Sequence, residues 1–242
     1  MELTKKCVLV FGTGISGIGA AHLLLARGAE VVLYDGNTEK DKEALLAEFP
    51  AGSKVRIVLG ELPEAEMEQL DLVVMSPGVP CDLPIVLAMK EKGIRIWGEV
   101  ELAYECGKGD VLAVTGTNGK TTTTSLLGAI MQASHPEVYI VGNIGNPYTE
   151  AAPKMTDDAV TVAEISSFQL ETIEKFAPKV SAILNITPDH LNRHHTMEEY
   201  IRVKELITKN QTESDTCVLN YEDEILREFG KTLHTKVIYF SS

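Results

Sequence analysis

Three groups of residues in this 242-residue chain have the types and spacing for chemistry on phosphates. The first is Gly116-Thr117-Asn118-Gly119-Lys120-Thr121-Thr122, which follows the apolar run 111–115 and opens a helical pattern. Glycine lets the backbone approach an anion, a helix N-terminus offers unpaired amides, and lysine adds a full positive charge. The strict phosphate-loop pattern would place glycine at position 114, where this chain has Val114, so the loop is a shortened variant. ATP is the expected ligand, with Lys120 at its terminal phosphates and the Thr121 hydroxyl on Mg²⁺.

The second group is Glu164, His190 and Lys204. Glu164 ends the apolar run 159–163, and His190 follows the Pro188-Asp189 turn after the run 180–186. In a parallel sheet, Thr121, Glu164 and His190 all fall beyond strand C-termini on one edge, where a carboxylate is poorly solvated unless it meets a cation. Alone they read as a capped carboxylate and a turn histidine; beside a phosphate loop they are expected Mg²⁺ ligands, with two ions. On a helix over 196–209, Met197, Tyr200, Ile201 and Ile207 form the apolar side, and Lys204 falls on it. Snorkelling would explain such a lysine. A buried amine with a lowered pKa could instead take up CO₂ and meet metal as a carbamate.

The third group is Gly12-Thr13-Gly14-Ile15-Ser16-Gly17, which follows the run 7–11 and precedes Asp35 at the end of the next apolar run. This dinucleotide-binding spacing admits a nicotinamide or flavin cofactor, another nucleotide, or a structural turn. Ser76-Pro77-Gly78 is another turn after an apolar run, the place where open α/β sheets bind ligands.

Holding these turns requires alternating strands and helices. Strands are expected over 7–11, 30–34, 55–58, 71–75, 94–97, 111–115, 138–141, 159–165, 180–186, 216–219 and 236–240. Helices are expected over 17–27, 39–48, 83–92, 99–105, 120–132, 168–175 and 196–209. The alternation predicts an α/β fold: a Rossmann-like parallel-sheet domain over 1–98, then a P-loop ATPase-like α/β domain over 99–242. The strand-like run 237–240 stops just before Ser242 with no closing helix, as expected of a truncated second domain.

Composition narrows the ligand classes. A net charge of −13 without a Lys/Arg block speaks against nucleic-acid and anionic-membrane partners, so anionic ligands must be held by local devices. No run approaches the roughly 20 apolar residues of a membrane span. Cys7, Cys81, Cys106 and Cys217 are scattered, which fits a reducing cytoplasm and neither a disulfide framework nor a zinc site.

Taken together, the stretches Gly116–Thr122, Gly142-Asn143-Ile144-Gly145, Glu164-Ile165-Ser166-Ser167-Phe168-Gln169-Leu170-Glu171, Asn185-Ile186-Thr187-Pro188-Asp189-His190-Leu191 and Tyr200–Lys204 resemble the muramyl ligases of peptidoglycan synthesis. The segment from Glu164 to Glu171 points to the branch that adds D-glutamate to UDP-N-acetylmuramoyl-L-alanine. The resemblance implies a cytoplasmic, monomeric ATP-dependent ligase whose first domain binds the UDP substrate rather than NAD, and whose third domain lies beyond this chain. It further implies that Lys120, His190 and carbamylated Lys204 are catalytic, and that Thr121, Glu164, His190 and Lys204 hold Mg²⁺. Asn143, Ser166 and Gln169 would contact the muramyl part, while Gly14, Ile15, Ser16, Asp35, Gly36, Asn37, Ser76, Pro77 and Gly78 would line the uridine-nucleotide pocket. Asn192 and the pair Gly36-Asn37 depart from the family pattern. A nicotinamide-dependent dehydrogenase, a regulatory nucleotide-binding module and a sister ligase for another amino acid are the alternatives; the first leaves the phosphate loop unexplained.

Overall fold

The computed structural model describes residues 2–241; Met1 and Ser242, the outermost residues of the two expected domains, lie outside the described residues. Near-continuous runs of Val, Leu and Ile make the central strands, which are buried on both faces, the pattern of a parallel sheet covered by helices, while edge strands are partly exposed. In the first sheet these are β1 (Cys7–Phe11), β2 (Glu30–Asp35), β3 (Val55–Leu59), β4 (Leu72–Met75) and β5 (Arg95–Gly98). They pair in parallel in the order β3-β2-β1-β4-β5. The order reverses beside β1, so the turns after β1 and β4 diverge into a crevice, the usual ligand position of such sheets.

The second sheet contains β6 (Asp110–Thr115), β7 (Val138–Gly142), β8 (Val160–Glu164), β9 (Val180–Ile183), β10 (Thr216–Asn220) and β11 (Lys236–Phe240). Its parallel order is β11-β10-β9-β6-β8-β7, which puts β6 between β8 and β9. The register opposes Val114 to Glu164, so the turn after β6 opens directly beside that carboxylate.

The α-helices are α1 (Ile15–Ala26), α2 (Lys42–Ala47), α3 (Glu64–Met67), α4 (Pro84–Glu91), α5 (Glu99–Cys106) and α6 (Lys120–Gln132), followed by α7 (Tyr148–Ala151), α8 (Ser167–Leu170), α9 (Leu191–His194), α10 (Met197–Glu205) and α11 (Glu224–Gly230). Every expected strand is present. The expected helix 168–175 is cut short after Leu170, because the buried Glu101 carboxylate accepts the backbone N–H groups of Glu174, Lys175 and Phe176 and draws them out of a helical path. Likewise the strand expected to reach 186 ends at Ile183, where the chain turns to clasp the phosphate loop. Four short helices, α3, α7, α9 and α11, carry too little periodic sequence to be read in advance.

One apolar core runs through both sheets, from Val8, Val10 and Leu33 through the fully buried Trp97 and Val100 to Leu170 and Leu219. Burying one such aliphatic side chain contributes about 2 kcal/mol. The first sheet is therefore held against the second by packing as well as by the α5 connection. Among the described residues, no helix is long and apolar enough to cross a membrane.

Candidate functional site

After β1 the chain must reverse within Gly12–Gly14 and enter α1. Gly12 adopts φ +105°, and a Cβ on Gly17 would lie 1.9 Å from the Gly12 carbonyl oxygen, so both positions exclude a side chain. The result is a cavity of about 460 Å³ between this turn, the turn after β4, and three residues of the second domain, Gly142, Asn143 and Gln169. Of the residues expected there, Gly14, Ile15, Ser16, Asp35, Ser76, Pro77, Gly78, Asn143 and Gln169 line it. Gly36, Asn37 and Ser166 are outside that lining. Asn37 instead donates its backbone N–H to Asp35 at 3.0 Å, and Ser166 caps α8, accepting from the Gln169 backbone at 3.3 Å. Gly12, Thr13, Val79 and Gly142 join the wall without having been singled out, although the first two sit inside the glycine motif itself.

Two side chains give this cavity its character. Among the described residues the buried Ser76 hydroxyl has no hydrogen-bond partner, a cost that a ligand acceptor would remove. Asp35 accepts from the Thr13 hydroxyl at 2.7 Å. Burial pushes its carboxyl up, but the bonds from Thr13 and Asn37 outweigh that and hold it below its ordinary value. Asp35 is thus already committed to its own turn.

The second turn follows β6. Gly116 has φ +148° and Gly119, the residue before α6, has φ +82°. The chain after β9 fastens this loop: Thr117 donates its backbone N–H to Asn185 at 2.9 Å, and Asn118 and Asn185 exchange side-chain and backbone bonds at 2.9 and 3.0 Å. The Thr117 hydroxyl bonds Thr187 and, at 3.1 Å, the hydroxyl of Tyr200 on α10. Neither Asn185 nor Tyr200 carries a sequence signal for this clamp beyond its place in a motif.

Lys120 donates to the carbonyls of Gly116 at 2.9 Å and Thr117 at 2.8 Å. Lys204 donates to the same Gly116 carbonyl at 2.8 Å and lies 4.7 Å from the Tyr200 ring centroid. Its side chain is 1 % exposed. Burial, reinforced by the neighbouring Lys120 ammonium and opposed by Asp189, draws the Lys204 amine down to about 7. The shift favours the neutral, nucleophilic amine relative to an ordinary lysine. Two ammonium groups converging on one carbonyl also form a cradle for an anion.

Glu164 is 1 % exposed and accepts from the Thr121 hydroxyl at 2.9 Å and the Asn143 amide at 2.8 Å. No cationic side chain pairs with it among the described residues. A buried carboxylate beside a hydroxyl at the end of a phosphate loop is an all-oxygen donor set suited to a hard divalent cation. His190, in the left-handed region at φ +52°, begins α9 with its ring 3.4 Å from the Asp189 carboxylate and 5.0 Å from the Phe168 ring centroid. The structure therefore brings Thr121, Glu164 and Asn143 together, and Lys120 with Lys204. It does not hydrogen-bond His190 to Glu164. Among the described residues, no three His, Cys, Asp or Glu side chains gather as a metal cluster, so a cation at Glu164 would need oxygens from its nucleotide.

The two sites are contiguous. Asn143 both lines the first cavity and holds Glu164, which holds Thr121 of the phosphate loop.

The sequence matches the Mur ligase middle domain over residues 114–242 and the MurD-like N-terminal domain of Mur ligases over residues 6–98. It is 55 % identical over 242 residues to UDP-N-acetylmuramoylalanine--D-glutamate ligase of Lachnospira eligens, covering 100 % of this chain and 54 % of the relative. The corresponding Clostridioides difficile protein is 48 % identical, with 100 % and 53 % covered. The chain spans about half the length of the curated relatives it matches. Among solved structures, a UDP-N-acetylmuramate:L-alanyl-gamma-D-glutamyl-meso-diaminopimelate ligase from Neisseria superposes with TM-score 0.60 at 17 % identity, covering 98 % of this chain and 78 % of that one. MurF ligase from Thermotoga maritima, in complex with ADP, gives 0.52 at 18 % identity, covering 99 % and 51 %. At such identities the likeness concerns the fold alone.

Proposed function

The chain belongs to the Mur ligase family, and on that premise we propose that it carries the substrate and nucleotide sites of a ligase that joins D-glutamate to UDP-N-acetylmuramoyl-L-alanine at the expense of ATP. The observation that carries this reading is the Asn143–Glu164–Thr121 chain of contacts, which sets a cavity fit for a nucleotide-linked substrate beside a phosphate loop. The printed names of the relatives support the choice of amino acid.

On this reading the UDP portion sits over the α1 N-terminus, with Ser76 and the backbone amides of the turn as donors. The alanine carboxylate reaches past Asn143 toward the phosphate loop. Its oxygen attacks the γ-phosphorus of ATP, the bond to the β-γ bridging oxygen breaks, and ADP leaves. The resulting acyl phosphate is attacked at carbon by the D-glutamate amine; phosphate leaves, the amine gives up a proton, and the amide remains.

Attack of an anion on an anion is opposed by charge, so positioning and neutralisation dominate. Lys120 neutralises the transferring phosphoryl group. Glu164 and Thr121 would hold Mg²⁺, with His190 and Lys204 as the ligands of a second ion; bound there, the metal supplies further charge neutralisation. Lys204 would serve as a carbamate: its ammonium loses one proton, the neutral amine attacks CO₂, a nitrogen–carbon bond forms as one carbon–oxygen π pair moves onto oxygen, and a second proton leaves the nitrogen. That converts a cation facing Lys120 into an anion, which relieves the like-charge contact. The protein works in the cytoplasm as a monomer, where its nucleotide substrates are found.

The test is ADP release by the full-length protein with UDP-N-acetylmuramoyl-L-alanine and a panel of amino acids. Release that requires D-glutamate is expected. Release that requires a different amino acid, or none, would overturn the proposal.

A further inference from the structure

Arg193 belongs to neither site, yet it ties them together from behind. Its Nη2 donates to the Val79 carbonyl at 3.0 Å and to the Glu171 carboxylate at 2.6 Å. The guanidinium carbon lies 4.8 Å from the Phe168 ring centroid, and the side chain is 14 % exposed. Val79 ends the turn that places Ser76 on the substrate cavity, and Gln169, between Phe168 and Glu171, lines the same cavity. Three residues before Arg193, His190 packs its ring on Phe168 at 5.0 Å between centroids, and His194 stacks on the same ring at 5.4 Å. The next residue, His194, is buried and bonds the Ser167 hydroxyl at 2.9 Å.

One guanidinium, carried on α9, therefore meets the first domain's substrate turn and both Phe168 of α8 and Glu171 just beyond it, while His190 caps the start of α9. The fork geometry matters here. Arginine can meet a carboxylate, a carbonyl and an aromatic face at once, whereas lysine offers a single compact charge.

We propose that Arg193 is a positioning residue of the ligation reaction, which sets the Ser76–Val79 turn against α8 and α9 so that the UDP-linked substrate is held in register with the phosphate loop. This rests on the ligase reading above and adds to it a residue that acts through the substrate turn, without touching the reacting atoms.

The experiment is steady-state kinetics of the full-length protein carrying Arg193→Ala, Arg193→Lys, Ser76→Ala and the Arg193→Ala/Ser76→Ala pair. Arg193→Ala is expected to raise KM for UDP-N-acetylmuramoyl-L-alanine by about tenfold or more while KM for ATP moves less than about twofold; the pair should be little worse than Arg193→Ala alone, because both act through one turn. If Arg193→Ala does not fold, Arg193→Lys, which keeps a positive charge against Glu171, carries the same comparison of the two KM values. Equal rises in both KM values, or strictly additive losses in the pair, would mark Arg193 as a general structural support and overturn the proposal. An unchanged KM for the UDP substrate would overturn it too. Absence of D-glutamate-dependent turnover in the parent protein would instead sink the ligase reading, and this inference with it.

Discussion

The two glycine turns share a backbone device and differ in everything placed around it. Each follows a central parallel strand, uses glycine in a conformation closed to other residues, and delivers the chain into a helix N-terminus. Around Gly12–Gly17, no lysine or arginine among the described residues lines the cavity, and the acid at the end of β2 accepts from Thr13. Around Gly116–Lys120, two lysines share one carbonyl and a buried carboxylate waits beside a hydroxyl. The first arrangement can recognise a phosphate-bearing ligand; the second can also manage charge that changes during a reaction. Glycine spacing alone therefore names a binding geometry, and the charged side chains beyond it decide whether chemistry follows.

The comparison breaks most sharply at Lys120. Lys120→Met in the full-length protein is expected to lower acyl-phosphate formation by about a thousandfold or more, measured by trapping with hydroxylamine, because no other group replaces its charge at the phosphates. Glu164→Gln comes next: a fall of about a hundredfold in kcat, with the Mg²⁺ midpoint rising about tenfold, would fit a lost metal oxygen. An unaltered Mg²⁺ midpoint would take Glu164 out of the metal site.

At the first turn the effects should be smaller and fall on binding. Ser76→Ala should weaken the UDP substrate about fivefold to tenfold, while the melting temperature of the ligand-free protein holds or rises, since the lost hydroxyl has no partner there. A fall in melting temperature with unchanged affinity would mean that Ser76 supports the turn and not the ligand.

The smallest effect tests the seam between the two regions. Glu99, at the start of α5, is almost fully buried and accepts the Thr149 backbone N–H at 2.9 Å. Burial pushes its carboxyl up. The folded state therefore resists its ionisation, a penalty absent below the ordinary carboxylate range and full above the raised value. Glu99→Gln keeps the acceptor and removes the penalty. Its melting-temperature advantage over the parent should grow as pH rises above the ordinary carboxylate range, and a constant difference would refute the assignment.

Much of this was legible in residue order because it depends on local pattern. Val-rich runs separated by glycine turns gave the parallel strands, and the spacing of Lys204 from Tyr200 and Ile201 gave its burial. What escaped depends on contacts distant in sequence. Glu101 unwinds the end of α8 from 73 to 75 residues away, and Asn185 clamps Asn118 from 67 away; periodicity carries no trace of either. The same holds for the Thr13 hydroxyl that donates to Asp35 from 22 residues away. Arg193 reaches Val79 across 114 residues, although the motif singled out beside it, from Asn185 to Leu191, and the neighbouring Asn192 gave it no role.

The central claim is that the first turn receives a UDP-linked muramyl substrate beside an ATP site. The most direct measurement is calorimetric titration of this 242-residue chain with UDP-N-acetylmuramoyl-L-alanine and, separately, with NADH. Saturable binding of the UDP compound, with no heat from NADH, is the predicted result. Binding of NADH alone would contradict the account and make the first domain a dehydrogenase-like one.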